Sequence, residues 1–274
     1  MGVAAETTPS VAASLAHNGA MHRSLIAFAL GLAAFAAAGA ECVKTMRWND
    51  DPPFSMRAPG GEVVGIHVEQ VREALRRMGC EVRLVEMPWA RALTELQAGR
   101  LDIVTGAIRT ADREAYAWFA APGPQSRNVL WVRVDPTKAW HFTRLDDLRL
   151  SGFKLGAQIG VRYGEDYDAL MRDPEFAATV RNVSTRRNLW MMASAGRIDG
   201  LIADEITGRT ELEQMGLQDR IRNSGLVVHH TPAATAFSKK SVDQEFVERF
   251  NKANEAMVKD GSLAAIFQRY GATP

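Results

Sequence analysis

Arg113 and Asp204 are the two residues whose type and setting point to chemistry. Arg113 lies in the stretch AGRLDIVTGAIRTADREAYAWF, residues 98–119. That stretch reads as a helix end at Ala98-Gly99, a buried strand from Leu101 to Gly106, and a turn into a new helix at Thr110. Open α/β sheets bind ligands outside the carboxyl ends of their strands. A helix start there offers unpaired N–H groups and a positive dipole end, which suit an anion. A cation in the first helical turn does nothing for the helix itself. Arg113 makes sense there as a planar fork for a carboxylate, or else as a solvated partner of Asp112 or Glu114. Residues 195–205, AGRIDGLIADE, repeat the pattern of Ala-Gly-Arg, an aliphatic residue, Asp and an apolar strand. This second strand ends in an acid, Asp204. Two similar units with opposite charges at equivalent ends suggest two lobes facing one zwitterionic ligand. An aspartate at that position also caps a helix from Glu205 onward, and the two roles are compatible.

The elements that must position these residues belong to an ordinary α/β chain. It has 274 residues, 46% of them hydrophobic, and a net charge of +1. Lys and Arg are scattered without a basic run, which gives no support for nucleic-acid binding. The amino-terminal segment reads as an export signal. Met21-His22-Arg23 is followed by the apolar run Leu25 to Ala38, too short for a membrane span of about 20 residues. Ala38-Gly39-Ala40 then fits a cleavage site. Residues 1–40 are therefore expected to be removed, with residues 1–20 an upstream extension. Glu41 before Cys42 argues against a lipoprotein. Export implies an oxidising compartment. Cys42 and Cys80 each precede a predicted strand. If those strands are parallel neighbours their starts lie side by side, and a structural disulfide follows; free thiols are the alternative. Two cysteines without paired histidines make no zinc site. His229 and His230 are adjacent on a strand, so they point to opposite faces and cannot share a metal. No cofactor or metal is expected.

Along the chain, strands are predicted at 43–48, 81–86 and 101–106, with helices at 66–78 and from Pro88 to Gly99. This βαβαβ order specifies a parallel sheet with crossover helices. A strand at 128–134 leaves the first lobe, and Asp135-Pro136 begins the second. The second lobe holds a helical turn at 145–148 and strands at 154–158, 180–183, 198–203 and 226–230. It also holds a helix ending at Met171, a helix capped by Ser184, and a helix from Glu205 to Met215. Residues 231–237 return the chain to the first lobe, which ends in two apolar-striped helices. Lobe one is thus expected over 41–133 and 235–274, and lobe two over 134–234. Two crossings of this kind mark a hinged clamshell.

The ordered set of motifs resembles the family 3 extracellular solute-binding proteins, which deliver polar amino acids to ABC importers. The matching pieces are DPPFS (51–55), GIHVEQVREALRRMG (65–79), PWARALTELQAGRLDIVTGAIRTADRE (88–114), LGAQIGVRYGEDY (155–167), AGRIDGLIADE (195–205) and DGSLAAIFQRYG (260–271). The resemblance implies an α/β fold, the two-lobed type II periplasmic-binding-protein clamshell. It implies that Arg113, in Thr110-Ala111-Asp112-Arg113, takes a ligand α-carboxylate and that Asp204 takes the α-amino group. Trp89 would wall the cleft, and backbone around Gly106 and Ala107 would line it. Three positions depart from the family's habit. Asp51 stands where an aromatic residue is common, Ile108 where a threonine is common, and Val161-Arg162 where small or hydroxyl residues are common. Asp51 and Arg162 are expected either to pair as a latch between the lobes or to read extra polar groups on the ligand. The implied activity is non-enzymatic: a monomeric periplasmic protein captures a small polar solute and hands it to an ABC permease in the inner membrane. Two other readings keep the same fold, a ligand sensor that signals to a receptor and an exported dehydratase using Asp51, Asp204 or Glu205 as a general acid.

Overall fold

A computed structural model describes residues 42–122, 127–230 and 232–272. The export signal expected over residues 1–40 lies outside the described residues. In chain order the elements begin with β1 (Cys42–Trp48), the short pair β2 (Met56–Arg57) and β3 (Val63–Val64), α1 (Ile66–Arg77), β4 (Cys80–Glu86) and α2 (Trp89–Ala98). They continue with β5 (Ile103–Ile108), α3 (Ala111–Glu114), β6 (Ala117–Phe119) and β7 (Asn128–Arg133). After a 3-10 turn at Leu145–Leu148 come β8 (Leu155–Gln158), α4 (Glu165–Leu170), α5 (Pro174–Thr179), β9 (Arg181–Val183), α6 (Arg186–Ser194), β10 (Gly200–Asp204) and α7 (Glu205–Met215). The chain closes with β11 (Ile221–His229), β12 (Ala233–Ser238), α8 (Gln244–Lys259) and α9 (Ser262–Arg269).

These strands form two five-stranded sheets, one per lobe, and one two-stranded ribbon. The first sheet runs β4-β1-β5-β12-β6, with β1 parallel to both β4 and β5 and with β12 antiparallel between β5 and β6. The second runs β11-β7-β10-β8-β9, with β7 antiparallel between β11 and β10. Helices cover the faces of both. In the second sheet alternate residues of β7 enter different cores: Leu130 and Val132 pack with Phe153 and Leu155, while Val129 and Trp131 pack with Leu189, Trp190 and Leu201. That split is the two-residue period of a strand covered on both sides. In the first sheet Ile66, Val68, Val71, Ala74 and Leu75 form the buried stripe of α1. They share a core with Met46, Ile103, Phe237 and Phe250, so the carboxyl-terminal helices complete the amino-terminal lobe.

Several elements differ from their sequence reading. The strand at 128–133, read as the end of the first lobe, is hydrogen-bonded into the second sheet through β10 and β11. Residues 233–238 form a full strand of the first sheet rather than a connecting segment. Their composition, AATAFS, shows no alternation because both faces of β12 are covered. The helix from Thr110 is the single turn α3, so its backbone dipole is small and Arg113 must act through its own guanidinium. The cap of α6 is Thr185 rather than Ser184. Both β6 and α5, too short to leave a periodic signature, go unpredicted.

β1 and β4 pair in register from Cys42↔Cys80 to Trp48↔Glu86, and the two cysteines are joined by a disulfide. The bridge ties the amino ends of two neighbouring strands, at the opposite end of the sheet from Trp48. Cross-linking across 38 residues of sequence restricts the unfolded chain and contributes about 2–4 kcal/mol. Replacing both cysteines by serine is expected to lower the unfolding free energy by about that amount, measured by urea titration. Adding reductant to the wild-type chain should lower it equally and leave the double variant unchanged.

Candidate functional site

Between the two sheets lies a cavity of about 690 Å³. It is reached by the carboxyl ends of β1, β5 and β10 and by the amino ends of α6 and α7. Arg113, Asp204, Trp89, Gly106, Ile108, Asp51, Val161 and Arg162 all contribute to its lining. Ala107 does not. It is fully buried on the opposite face of β5, among Ala92, Leu96 and Ala236. Gly106 and Ile108 face the cavity because adjacent strand residues point opposite ways.

Arg113 is only 3% exposed. Its Nη1 donates to the Ile108 carbonyl at 2.8 Å, which fixes the guanidinium against its own lobe. Its Nη2 donates across the cleft to the Gly160 carbonyl at 3.1 Å. The Trp89 indole Nε1 donates to the same carbonyl at 2.9 Å. Both donors come from the first lobe and the acceptor from the second, so one oxygen holds the lobes together. Gly160 has φ +81°, and an added Cβ would stand 3.3 Å from the Ala90 Cα and Cβ and the Trp89 ring. A side chain there would press on Ala90 and Trp89 across the cleft, in a backbone conformation that L residues rarely adopt. Burial lowers the pKa of Arg113 from its ordinary value, so an anion brought to it relieves an electrostatic cost. Asp204 caps α7 by accepting from the Thr207 backbone N–H at 2.9 Å, as its sequence position suggested.

Asp51 and Arg162 do not pair with each other. Each makes an ion pair across the cleft with a different residue. Arg162 Nη2 meets Asp112 Oδ2 at 2.9 Å, at an exposed rim, where such pairs contribute little. Asp51 Oδ1 accepts from Arg186 Nη2 at 2.5 Å, in the interior. Arg186 also donates from Nε to Glu211 Oε2 at 2.7 Å and from Nη2 to Glu211 Oε1 at 2.9 Å. Glu211, 7% exposed, accepts in addition from the Trp190 indole. Burial works against the charge of Arg186, but Glu211 and Asp51 outweigh it and push its pKa well above the ordinary value. Burial would likewise raise the pKa of Asp51, and Arg186 with Arg47 reverses this and holds it below the usual carboxylate range.

The sequence reading missed Arg186, Glu211, Arg47 and His67. A signal existed for two of them. Arg186 is a cation in the first turn of α6, the same unfavourable setting that singles out Arg113. Glu211 falls one helical turn after Thr207 on the buried stripe of α7, where an unpaired acid would be costly. His67 stacks on Phe54 with ring centroids 4.6 Å apart. Burial lowers its pKa to about 4, against the pull of Asp51 and Asp204.

The family described as "Bacterial extracellular solute-binding proteins, family 3" matches residues 45–273. The histidine-binding periplasmic protein of Salmonella typhimurium is 24% identical over 259 residues, which cover 90% of this chain and 93% of that protein. A "Probable amino-acid ABC transporter-binding protein" of Haemophilus influenzae is 23% identical, covering 78% of each chain. Among solved structures, an ancestral arginine-binding protein bound to arginine superposes with a TM-score of 0.72 at 22% identity, covering 83% of this chain and 97% of that one. No helix among the described residues is long and apolar enough to cross a membrane.

Two outcomes follow from the charges. Replacing Arg186 by methionine leaves Glu211 buried without its cation and should destabilise the fold by about 3–5 kcal/mol, read from urea unfolding. His67 binds its proton more readily in the unfolded chain, near pH 6.5, than in the folded one, near pH 4. Its contribution is therefore complete above about pH 6.5 and is lost as the pH falls towards 4. Urea midpoints taken at pH 7 and pH 4.5 should differ less in His67→Gln than in the wild type.

Proposed function

Because this chain belongs to the bacterial extracellular solute-binding proteins, family 3, we propose that it captures a small amino acid in the cleft between its lobes and delivers it in the periplasm to an ABC permease. The observation that carries this reading is the pair Arg113 and Asp204, a buried cation and a carboxylate that line one cavity from opposite lobes. An α-amino acid carries both complementary charges on one carbon. Arg113 takes the carboxylate and Asp204 the ammonium group, with Trp89 as a wall of the same cleft. Each lobe alone offers one half of the recognition, so the ligand gains its full set of contacts only in the closed state and shifts the population towards it. The transport role is supported by the Haemophilus influenzae relative, named a probable amino-acid ABC transporter-binding protein. Protein groups also contribute to closure: the Gly160 carbonyl and the Asp51–Arg186 pair already join the lobes. The dehydratase reading has less to support it. Asp204 is engaged as a helix cap, Asp51 is ionised against Arg186, and Glu205 accepts from Arg127 and Asn223. None of the three is set up as a general acid.

Isothermal titration of the mature chain, residues 41–274, with the twenty amino acids and their decarboxylated and deaminated analogues tests the reading. Binding should require both α-groups. Arg113→Ala should weaken it by about 2–5 kcal/mol, since it removes one partner of a buried charge pair. Affinity of Arg113→Ala within about threefold of wild type would sink the assignment. Gly160→Ala should weaken every ligand together, because it obstructs closure rather than any one contact.

A further inference from the structure

Besides Arg113, a second buried guanidinium of the cleft has no carboxylate hydrogen-bonded to it among the described residues. Arg47, on the last turn of pleat before the end of β1, is 6% exposed and lines the cavity. Among the described residues its only protein hydrogen bond runs from Nε to the Met87 carbonyl at 3.2 Å. Its plane packs on the Trp89 ring, with Cζ 5.5 Å from the centroid. The acids nearby are committed elsewhere: Asp51 and Glu211 direct their hydrogen bonds to Arg186. Asp51 therefore gives Arg47 a through-space attraction only, and Arg186 opposes it with a repulsion. Burial drives the pKa of Arg47 down to about 10, which leaves it charged at neutral pH and under-compensated. An arginine has five N–H donors in a fixed fork, and donors buried without acceptors are costly. Arg113 stands over the same Trp89 ring, with Cζ at 5.8 Å, so both guanidiniums belong to one wall of the cavity.

We propose that Arg47 is a second anion-binding residue of this cleft and that the captured amino acid carries an acidic side chain. This rests on the assignment of Arg113 and Asp204 to the α-groups. Arg113 then binds the α-carboxylate, Asp204 the ammonium group, and Arg47 the side-chain carboxylate. Arg47 repels a cationic side chain, so the preference departs from the histidine and arginine named for the relatives.

The test is titration of wild type and Arg47→Gln with glutamate, aspartate, glutamine, asparagine, arginine and histidine. Glutamate or aspartate should bind wild type at least about tenfold more tightly than its amide, and Arg47→Gln should weaken that acid by about 10- to 100-fold. The amides should change by no more than about threefold. An amide or a basic amino acid binding wild type most tightly, or an equal loss for every ligand in Arg47→Gln, overturns the role of Arg47 and leaves the Arg113 reading standing. Failure of all six to bind wild type overturns both. Thermal unfolding checks the fold of the variant. If Arg47→Gln does not fold, the wild-type ranking decides, together with Arg47→Lys, which keeps the charge and should keep the preference for the acid.

Discussion

The charge of Arg186 is shared between the two lobes. Its guanidinium lies in the interior, where an uncompensated cation costs several kcal/mol. Glu211 supplies a bidentate partner from the same lobe, and Asp51 supplies the other from across the cleft. Opening the lobes removes Asp51 and hydrates both groups. The closed state exchanges that hydration for short hydrogen bonds in a less polar surrounding, so the net gain is smaller than the attraction alone. A pair of this kind sets where the lobes meet more than how tightly they hold. The same applies to the Gly160 carbonyl, which accepts from Trp89 and Arg113 only when the second-lobe loop comes down against α2. Register between the lobes is thus fixed by polar contacts at a few points, leaving room beside them for a solute.

Much of this arrangement was legible in the sequence. The motifs appear in the right order, the βαβαβ reading matches β1 to β5, and the cysteine pairing followed from treating β1 and β4 as parallel neighbours. Arg113, Asp204 and Trp89 line one cavity. What escaped depended on distance along the chain. The strand at 128–133 reads the same whether it pairs with β5 or with β10, and only the fold decides. Asp51 and Arg162 were recognised as unusual, yet their partners are set by the angle at which the lobes close. Neither Asp112 nor Arg186 can be matched to them from spacing.

Ala107 illustrates the same boundary at smaller scale. The sequence identifies the strand, but the face that each residue presents depends on which side of the sheet the other lobe occupies. Gly106 and Ile108 share the cavity face and Ala107 the core face. Ile108 places an apolar side chain at the cavity, so polar recognition in this region falls to the two guanidiniums near Trp89.

The interleaving of the first sheet has a consequence for the order in which the molecule can be assembled. Its neighbour to β5 is β12, which the ribosome delivers only after the entire second sheet has been made. Until then β5 lacks one edge partner, β6 has no strand to join, and the apolar stripe of α1 waits for Phe250 and Phe267. The second sheet is drawn from one uninterrupted run of chain, β7 to β11, and can consolidate without waiting. The second sheet therefore has all of its strands in the chain before the first sheet has its last, β12. The bridge between Cys42 and Cys80 joins β1 and β4, both of which precede β5 in the chain, independently of that late strand.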